Sequence, residues 1–410
     1  MSRYAKDRRS TGPKPVERVE LSEKHLGLRF LAMGVLLVIG VAAITFAVKE
    51  LVTTPAGWAE VKVDSTADMN CGDDFQVLYN YGASGNDPST EKRAFSVLYS
   101  AAAVKAYRLF SVETLYDGVC NLCYINAHVG EEIEVDPWLY TAFGTLAEAG
   151  DRGLFLGPLY SEYEALLGAD EQWAAEYDPR LSEEVATWHK TVAGFAADAD
   201  AVSLELLGDN RVLLHVSSDY AAFAKSYGIT RFIDFGWMKN GFIADYLAYV
   251  FLESGYENAM IQSVDGFGRT LCAVPSELEL YKRDGSTIEN VAAVQYAVPM
   301  ATAALRDYWL TDAAAAGYRE YENGEIRTPY LDVADGFSRE AAHELQTMSS
   351  SCGCAALLMA MKPVYIADTL DPVGMTGEGI TWFYTEGNLL RRIGENADLT
   401  VTLQPGYTVL

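Results

Sequence analysis

The chain has 410 residues, of which 50% are hydrophobic and 12% aromatic, enough for a packed core in one large domain or two smaller ones. Its formal net charge is -26 and its pI is about 4.5. This acidity argues against nucleic-acid binding, which requires a basic surface.

The first 48 residues differ from the rest in charge and hydropathy. Residues 1–29 contain eight basic and four acidic residues, whereas residues 30–48 contain no charged residue. A helix of that length can cross a hydrocarbon core of roughly 30 Å, and the basic flank places the N-terminus in the cytoplasm. We therefore predict a cell-membrane protein with a cytoplasmic tail (1–29), a transmembrane helix (30–48), a linker (49–68) and an extracytoplasmic domain (69–410). A cleaved signal peptide is the alternative, but the polar lead is long and no clear cleavage site follows.

Hydrophobic periodicity and turn residues predict helices and strands interspersed without a βαβ rhythm. Asp87-Pro88, Asp136-Pro137 and Ser182 are typical of helix starts. The predicted helices are 88–110, 137–149, 182–196 and 355–361. The predicted strands are 75–81, 202–207, 211–216, 259–263, 269–274, 345–349, 381–384 and 399–403, with a further hairpin within 318–330. This mixture favours an α+β fold.

The segment 231–246, RFIDFGWMKNGFIADY, is the strongest candidate for a ligand site. We predict that Ile233 ends a short strand and that a helix follows from about Phe242. Asp234 then lies where the strand ends, and Gly236 and Gly241 allow backbone to approach a ligand. The alternative is an ordinary strand-to-helix turn in which Asp234 caps the helix.

The same segment resembles the D-x-G-G-x-x-K-G-x-x-x-D motif of the FAD:protein FMN transferases, the ApbE family. Asp234, Gly236, Gly241 and Asp245 fall in register with that motif. Trp237 replaces the second glycine. Asn240 occupies the lysine position, with Lys239 one place earlier.

Further segments match other motifs of that family in the same order along the chain. The resemblance implies an ApbE-like domain of mixed, largely antiparallel sheets with flanking helices. The family positions that would contact the flavin cofactor are Met69, Tyr116, Asn126, Phe155, Asp234, Asp265 and Asp332.

The activity implied by the resemblance is cleavage of FAD and transfer of FMN to a threonine or serine of an acceptor flavoprotein. In this reaction Asp234 and Lys239 would be the catalytic residues, and they would lie around the phosphates with Asp265. Family members hold Mg²⁺ through an aspartate and a threonine near the C-terminus. Ala355 and Met359 occupy those positions here, so the metal ligands stay unassigned. Pro329 occupies the family's histidine position.

The six cysteines leave several interpretations open. Disulfides, a metal site built from the Cys120-x-x-Cys123 and Cys352-x-Cys354 pairs, and buried free thiols are all compatible with the spacing. Two alternatives to a transferase also stay open. One is a flavin-binding or partner-binding scaffold that has lost the reaction, and the other is an unrelated surface module.

Overall fold

The computed structural model describes residues 54–63, 73–169, 171–394 and 396–410. Residues 55–410 form one compact unit. The predicted membrane helix and Met69 lie outside the described residues. Among the residues that are described, no helix is both long and apolar enough to span a bilayer.

Side-chain caps start the longer helices. Asp87 accepts a hydrogen bond from the N–H of Thr90, Asp136 from Trp138, and Ser182 from Val185. These starts confirm the prediction from the sequence. The helices are α1 (Pro88–Phe110), α2 (Leu122–Ala127), α3 (Pro137–Glu148), α4 (Gly157–Gly168), α5 (Glu171–Tyr177), α6 (Glu183–Ala197), α7 (Ser218–Tyr227), α8 (Lys239–Glu253), α9 (Asp312–Ala315) and α10 (Cys354–Tyr365). Short 3₁₀ turns are Gly153–Leu156, Gly236–Met238 and Pro372–Gly374.

The strands alternate with these helices along the whole unit. They are β1 (Gly57–Val61), β2 (Phe75–Tyr81), β3 (Glu132–Glu134), β4 (Val202–Gly208), β5 (Arg211–Val216), β6 (Ala259–Ser263), β7 (Phe267–Thr270), β8 (Ser276–Asp284), β9 (Thr287–Tyr296), β10 (Met300–Arg306), β11 (Arg319–Glu320), β12 (Ile326–Arg327), β13 (Glu344–Ser349), β14 (Thr381–Glu386), β15 (Leu389–Ile393), β16 (Thr400–Leu403) and β17 (Thr408–Val409).

One large sheet organises the unit. Its order is β1-β2-β6-β7-β10-β13-β14-β15-β17, and small sheets β16-β9-β8, β3-β5-β4 and β11-β12 accompany it. Every pairing in the described residues is antiparallel except β15 with β17. The α+β class with largely antiparallel sheets is therefore confirmed.

The core lies where α1, α8 and α10 cover the sheet. Helix α8 contacts α1, α10, β6 and β7, and α10 also contacts β10 and β13. Buried rings fill the space between α1 and the sheet, with ring centroids 4.4 Å apart for Tyr79–Phe95 and 4.8 Å for Phe95–Phe251. These rings hold the end of α8, and the Phe235–Phe242 contact, with ring centroids 5.0 Å apart, packs its start, where the 231–246 segment enters the core.

The structure differs from the sequence prediction in two places near the site. Residues 232–233 are irregular backbone rather than a strand, because the side chain of Asn126 binds their polar groups in place of a neighbouring strand. Residues 57–61, within the predicted linker, pair with β2 as an edge strand. The five described cysteines, Cys120, Cys123, Cys272, Cys352 and Cys354, are free thiols.

Candidate functional site

Asn126, on α2, holds the backbone that carries Asp234. Its Oδ1 accepts hydrogen bonds from the N–H groups of Phe232 and Ile233, at 2.8 and 2.9 Å. Its Nδ2 donates to the carbonyl of Ile233 at 2.9 Å. The N–H of Asp234 donates to the carbonyl of Leu154 at 2.8 Å. Asn126 is therefore a positioning residue for this segment.

Asp234 is a buried residue, with 5% of its surface exposed. Its Oδ1 accepts a hydrogen bond from the N–H of Gly236 at 2.8 Å, and its Oδ2 lies 3.3 Å from Nη1 of Arg231. Burial raises the pKa of Asp234 to about 6, although the Gly236 N–H and Arg231 oppose that shift. A carboxyl with this pKa can exchange a proton near neutral pH.

Position 236 requires glycine because the backbone there lies in close contact with Tyr160. Its φ is +51°, and a Cβ at this position would lie 2.8 Å from three atoms of the Tyr160 ring. The hydroxyl of Tyr160 donates to the carbonyl of Gly153 at 2.9 Å. Backbone and ring therefore pack directly against each other at the start of α8.

Two adjoining cavities open at this point. The acidic cavity, of about 240 Å³, is lined by Arg231, Asp234, Lys239, Glu113 and other residues. The aromatic cavity, of about 470 Å³, has walls of Tyr160, Tyr163, Trp237, Phe267, Tyr318 and Tyr330. Both are lined by Asp74, Glu164, Gly236 and Lys239. The volume and the aromatic lining of the aromatic cavity are typical of small-ligand sites.

Asp265 places a second carboxylate in the aromatic cavity. Its Oδ2 accepts a hydrogen bond from Nδ2 of Asn240 at 3.0 Å, and its Oδ1 has no partner among the described residues. Burial raises the pKa of Asp265 to about 6. The structure therefore brings together Asp234, Lys239 and Asp265, which the sequence analysis groups around one ligand.

The start of α10, where the family resemblance would place Mg²⁺, has no suitable ligand set. Asp245 occupies it, with Oδ1 accepting from the N–H of Cys354 and Oδ2 from the N–H of Ala355, both at 2.9 Å. Arg269 also contacts Asp245, at 2.6 Å. Ala355 and Met359 offer no oxygen-bearing side chain, and the described residues contain no cluster of three or more His, Cys, Asp or Glu suited to a metal ion. Mg²⁺ prefers several oxygen ligands, so these residues do not fit it.

Four predicted flavin contacts line neither cavity: Asn126, described above, and Tyr116, Phe155 and Asp332. Tyr116 is on the loop before α2, with the Arg108 guanidinium 5.3 Å from its ring centroid. Phe155 is buried, 4.1 Å from the Arg152 guanidinium. Asp332 pairs with Arg339 at 2.6 Å. The structure thus places these side chains in local packing and ion pairs.

The sequence analysis did not identify most of the aromatic cavity. Trp237 was noted only as a replacement for a glycine, and Tyr160 follows the Gly157-Pro158 pair without being singled out. Trp237 lies within the 231–246 segment, and Tyr160 lies five residues after Phe155. An aromatic residue next to a ligand-binding turn is the signal that could have found them.

The raised pKa of Asp234 predicts a pH-dependent stability difference between the wild type and Asp234→Asn. The folded protein holds the proton of Asp234 up to about pH 6, against an ordinary value of 3.8. Protonation of Asp234 in the folded protein therefore contributes its full stabilisation below about pH 4, and this stabilisation is lost as the pH rises through 6. Relative to the wild type, Asp234→Asn should gain about 2–3 kcal/mol of unfolding free energy between pH 4 and pH 7.5. Urea unfolding at both pH values measures this, and a difference that stays constant with pH would contradict it.

Solved structures with a similar fold include two ApbE proteins. The ApbE protein of Thermotoga maritima aligns with a TM-score of 0.53 at 15% identity, over 80% of this chain and 94% of its own. The flavin transferase ApbE from Vibrio cholerae aligns with a TM-score of 0.50 at 12% identity, over 86% of this chain and 99% of its own. The sequence matches no family model and no curated protein. The similarity therefore concerns three-dimensional structure, and it confirms the fold expected from the motifs: this chain has the fold of the ApbE flavin transferases.

Proposed function

We propose that this protein binds a flavin in the aromatic cavity. The observation that supports the proposal best is the position of Trp237, Tyr318 and Tyr330 beside Asp265 and Lys239 in one cavity of about 470 Å³. Aromatic walls suit a flat ring system, and a few polar groups suit its edge atoms. The ApbE fold supports a flavin over other flat ligands, since the solved structure from Vibrio cholerae is a flavin transferase.

FMN transfer from FAD to a threonine or serine of an extracytoplasmic protein is the second candidate. It is favoured by Asp234 and Lys239, which line the same acidic cavity. With a pKa of about 6, the carboxylate of Asp234 is ionised at neutral pH and can accept a proton from an attacking hydroxyl. In that reaction Asp234 is the base and Lys239 contacts phosphate. Binding without transfer comes first because the described residues at the start of α10 offer no side-chain set that fits Mg²⁺.

One experiment separates the two candidates. The purified domain is incubated with FAD and an acceptor domain that carries a threonine, once with Mg²⁺ and once with EDTA. Flavin fluorescence reports binding, while AMP release and the mass of the acceptor report transfer. Binding without AMP supports the first candidate, a flavinylated acceptor supports the second, and no binding under any condition refutes both.

Trp237 should contribute strongly to flavin affinity. Trp237→Ala removes one wall of the aromatic cavity, and base–aromatic stacking of this kind contributes about 1–3 kcal/mol. We expect the flavin Kd to rise about tenfold or more, as measured by fluorescence titration. Trp173→Ala is the matched control, because Trp173 is 52% exposed and lines neither cavity. Equal affinities for the two variants would rule out the aromatic cavity as the flavin site.

We further propose that residues 30–48 anchor the protein in the cell membrane with the main domain outside. The uncharged segment after a basic tail supports this. Protease treatment of intact cells tests it: an external domain is digested, whereas an internal one is protected.

A further inference from the structure

The place where the two cavities adjoin limits which flavin this site can take. Asp74, Glu164, Gly236 and Lys239 line both cavities. FAD carries its diphosphate between the flavin and adenosine halves. An FAD molecule with its ring in the aromatic cavity and its other half in the acidic cavity would place the diphosphate against these shared residues.

The charges at this junction do not suit an anion. The two cavities together are lined by five carboxylates, from Asp74, Glu113, Glu164, Asp234 and Asp265, and by two cations, from Arg231 and Lys239. The ammonium of Lys239 lies 3.7 Å from Asp74. The guanidinium of Arg231 contacts Asp234, Glu113 and Glu164 at 3.3, 3.3 and 3.5 Å. Both cations therefore already have carboxylate partners in the protein.

Three neighbouring cations in the described part of the chain already have carboxylate partners, and one of them is Arg306, which lies 3.8 Å from Glu344. Arg269 pairs with Asp245, and Lys362 pairs with Asp151, both at 2.6 Å. The turn that starts α8 directs the N–H of Gly236 to the carboxylate of Asp234. That N–H is therefore already used by a side chain of the protein and is not free to bind a phosphate.

We propose that the site selects an uncharged flavin, with a ring and polyol chain like those of riboflavin, over flavins that carry phosphate. The proposal rests on the proposed flavin binding. Two unit charges 4 Å apart in water interact by about 1 kcal/mol, so each net negative charge near a phosphate weakens binding about fivefold. An uncharged flavin keeps the aromatic contacts and avoids this repulsion.

The test compares riboflavin, FMN and FAD by fluorescence titration at pH 8 and low salt, each in EDTA and in Mg²⁺. Riboflavin should bind at least about tenfold more tightly than FAD in EDTA, and FMN should be close to FAD because the phosphates of both are charged at pH 8. The ratio of FAD to riboflavin affinity should increase with added salt, which screens the carboxylates. It should also increase about fivefold in Glu164→Gln, which removes one carboxylate from the junction.

Glu162→Gln is the matched control, because Glu162 lies on the same helix, α4, but lines neither cavity. It should leave the affinity ratio unchanged. An FAD affinity in EDTA equal to that of riboflavin would overturn the proposal. An FAD affinity that reaches that of riboflavin only with Mg²⁺ would also overturn it, since the carboxylates would then be holding a cation. If no flavin binds, the proposed function itself fails, which is a distinct result.

Discussion

Asn126→Ala should lower the free energy of unfolding by about 3–5 kcal/mol. The substitution removes three hydrogen bonds and leaves the N–H groups of Phe232 and Ile233 and the carbonyl of Ile233 without partners. A buried polar group left unsatisfied costs about 1–3 kcal/mol. Because the same segment carries Asp234, flavin binding should weaken as well. Urea unfolding followed by tryptophan fluorescence measures the stability change.

Asn258→Ala is the control for this experiment. The side chain of Asn258 donates to Ser84 at an exposed position. An exposed hydrogen bond of this kind should contribute less than about 1 kcal/mol. A stability loss for Asn126→Ala no greater than that of the control would mean that the backbone around Asp234 is held by other contacts.

Gly236→Ala should destabilise the protein by about 3 kcal/mol and raise the flavin Kd about tenfold. The new Cβ would lie 2.8 Å from the ring of Tyr160, so ring or backbone must move. Overpacking of this kind costs about 1–3 kcal/mol, and the left-handed φ adds about 1 kcal/mol. Tyr160 lines the aromatic cavity, so its displacement changes the shape of the flavin site.

Gly255→Ala separates the cost of the left-handed φ from the cost of the contact with Tyr160. Gly255 has a φ of +78°, but a Cβ there would have no heavy atom within 4 Å. Gly255→Ala should therefore lower the free energy of unfolding only by the backbone contribution of about 1 kcal/mol, and its flavin affinity should equal that of the wild type. Similar losses in both variants would show that Tyr160 adapts to the extra methyl group.

Local signals were sufficient for several elements. Asp87-Pro88 and Asp136-Pro137 combine an N-cap side chain with a proline at the first turn, and both helices start where these residues predict. The hairpin of β4 and β5 was also predicted, because Asp209 and Asn210 tolerate the positive φ of its turn, at 49° and 58°. These elements depend on residues adjacent in sequence.

Elements without such signals were not predicted. Strand β10, MATAALR, is buried at every position, so it has no alternation of polar and apolar residues. The segment 232–233 looks apolar enough for a strand, but the side chain of Asn126, more than a hundred residues away, binds its backbone instead. No local pattern contains that information.

The residues of the candidate site also fall into two groups: those that short sequence motifs could group, and those that only the tertiary structure brings together. Asp234 and Lys239 lie close in sequence, and Asp265 follows β6, so short motifs could group them. Tyr318 and Tyr330 reach the same cavity through the chain around β11 and β12, which depends on tertiary structure. The charge of the junction between the cavities likewise depends on Asp74 and Glu164, which no motif contains.

The carboxylate of Asp245 at the start of α10 has a consequence for how this protein could evolve. Ala355→Asp would bury a second negative charge beside the carboxylate of Asp245, which already accepts a hydrogen bond from the N–H of Ala355. Loss of Asp245 alone would remove the carboxylate that pairs with Arg269 and that accepts a hydrogen bond from the N–H of Cys354. Each single step is unfavourable, so building a metal site at the start of α10 would require coordinated exchanges at both positions.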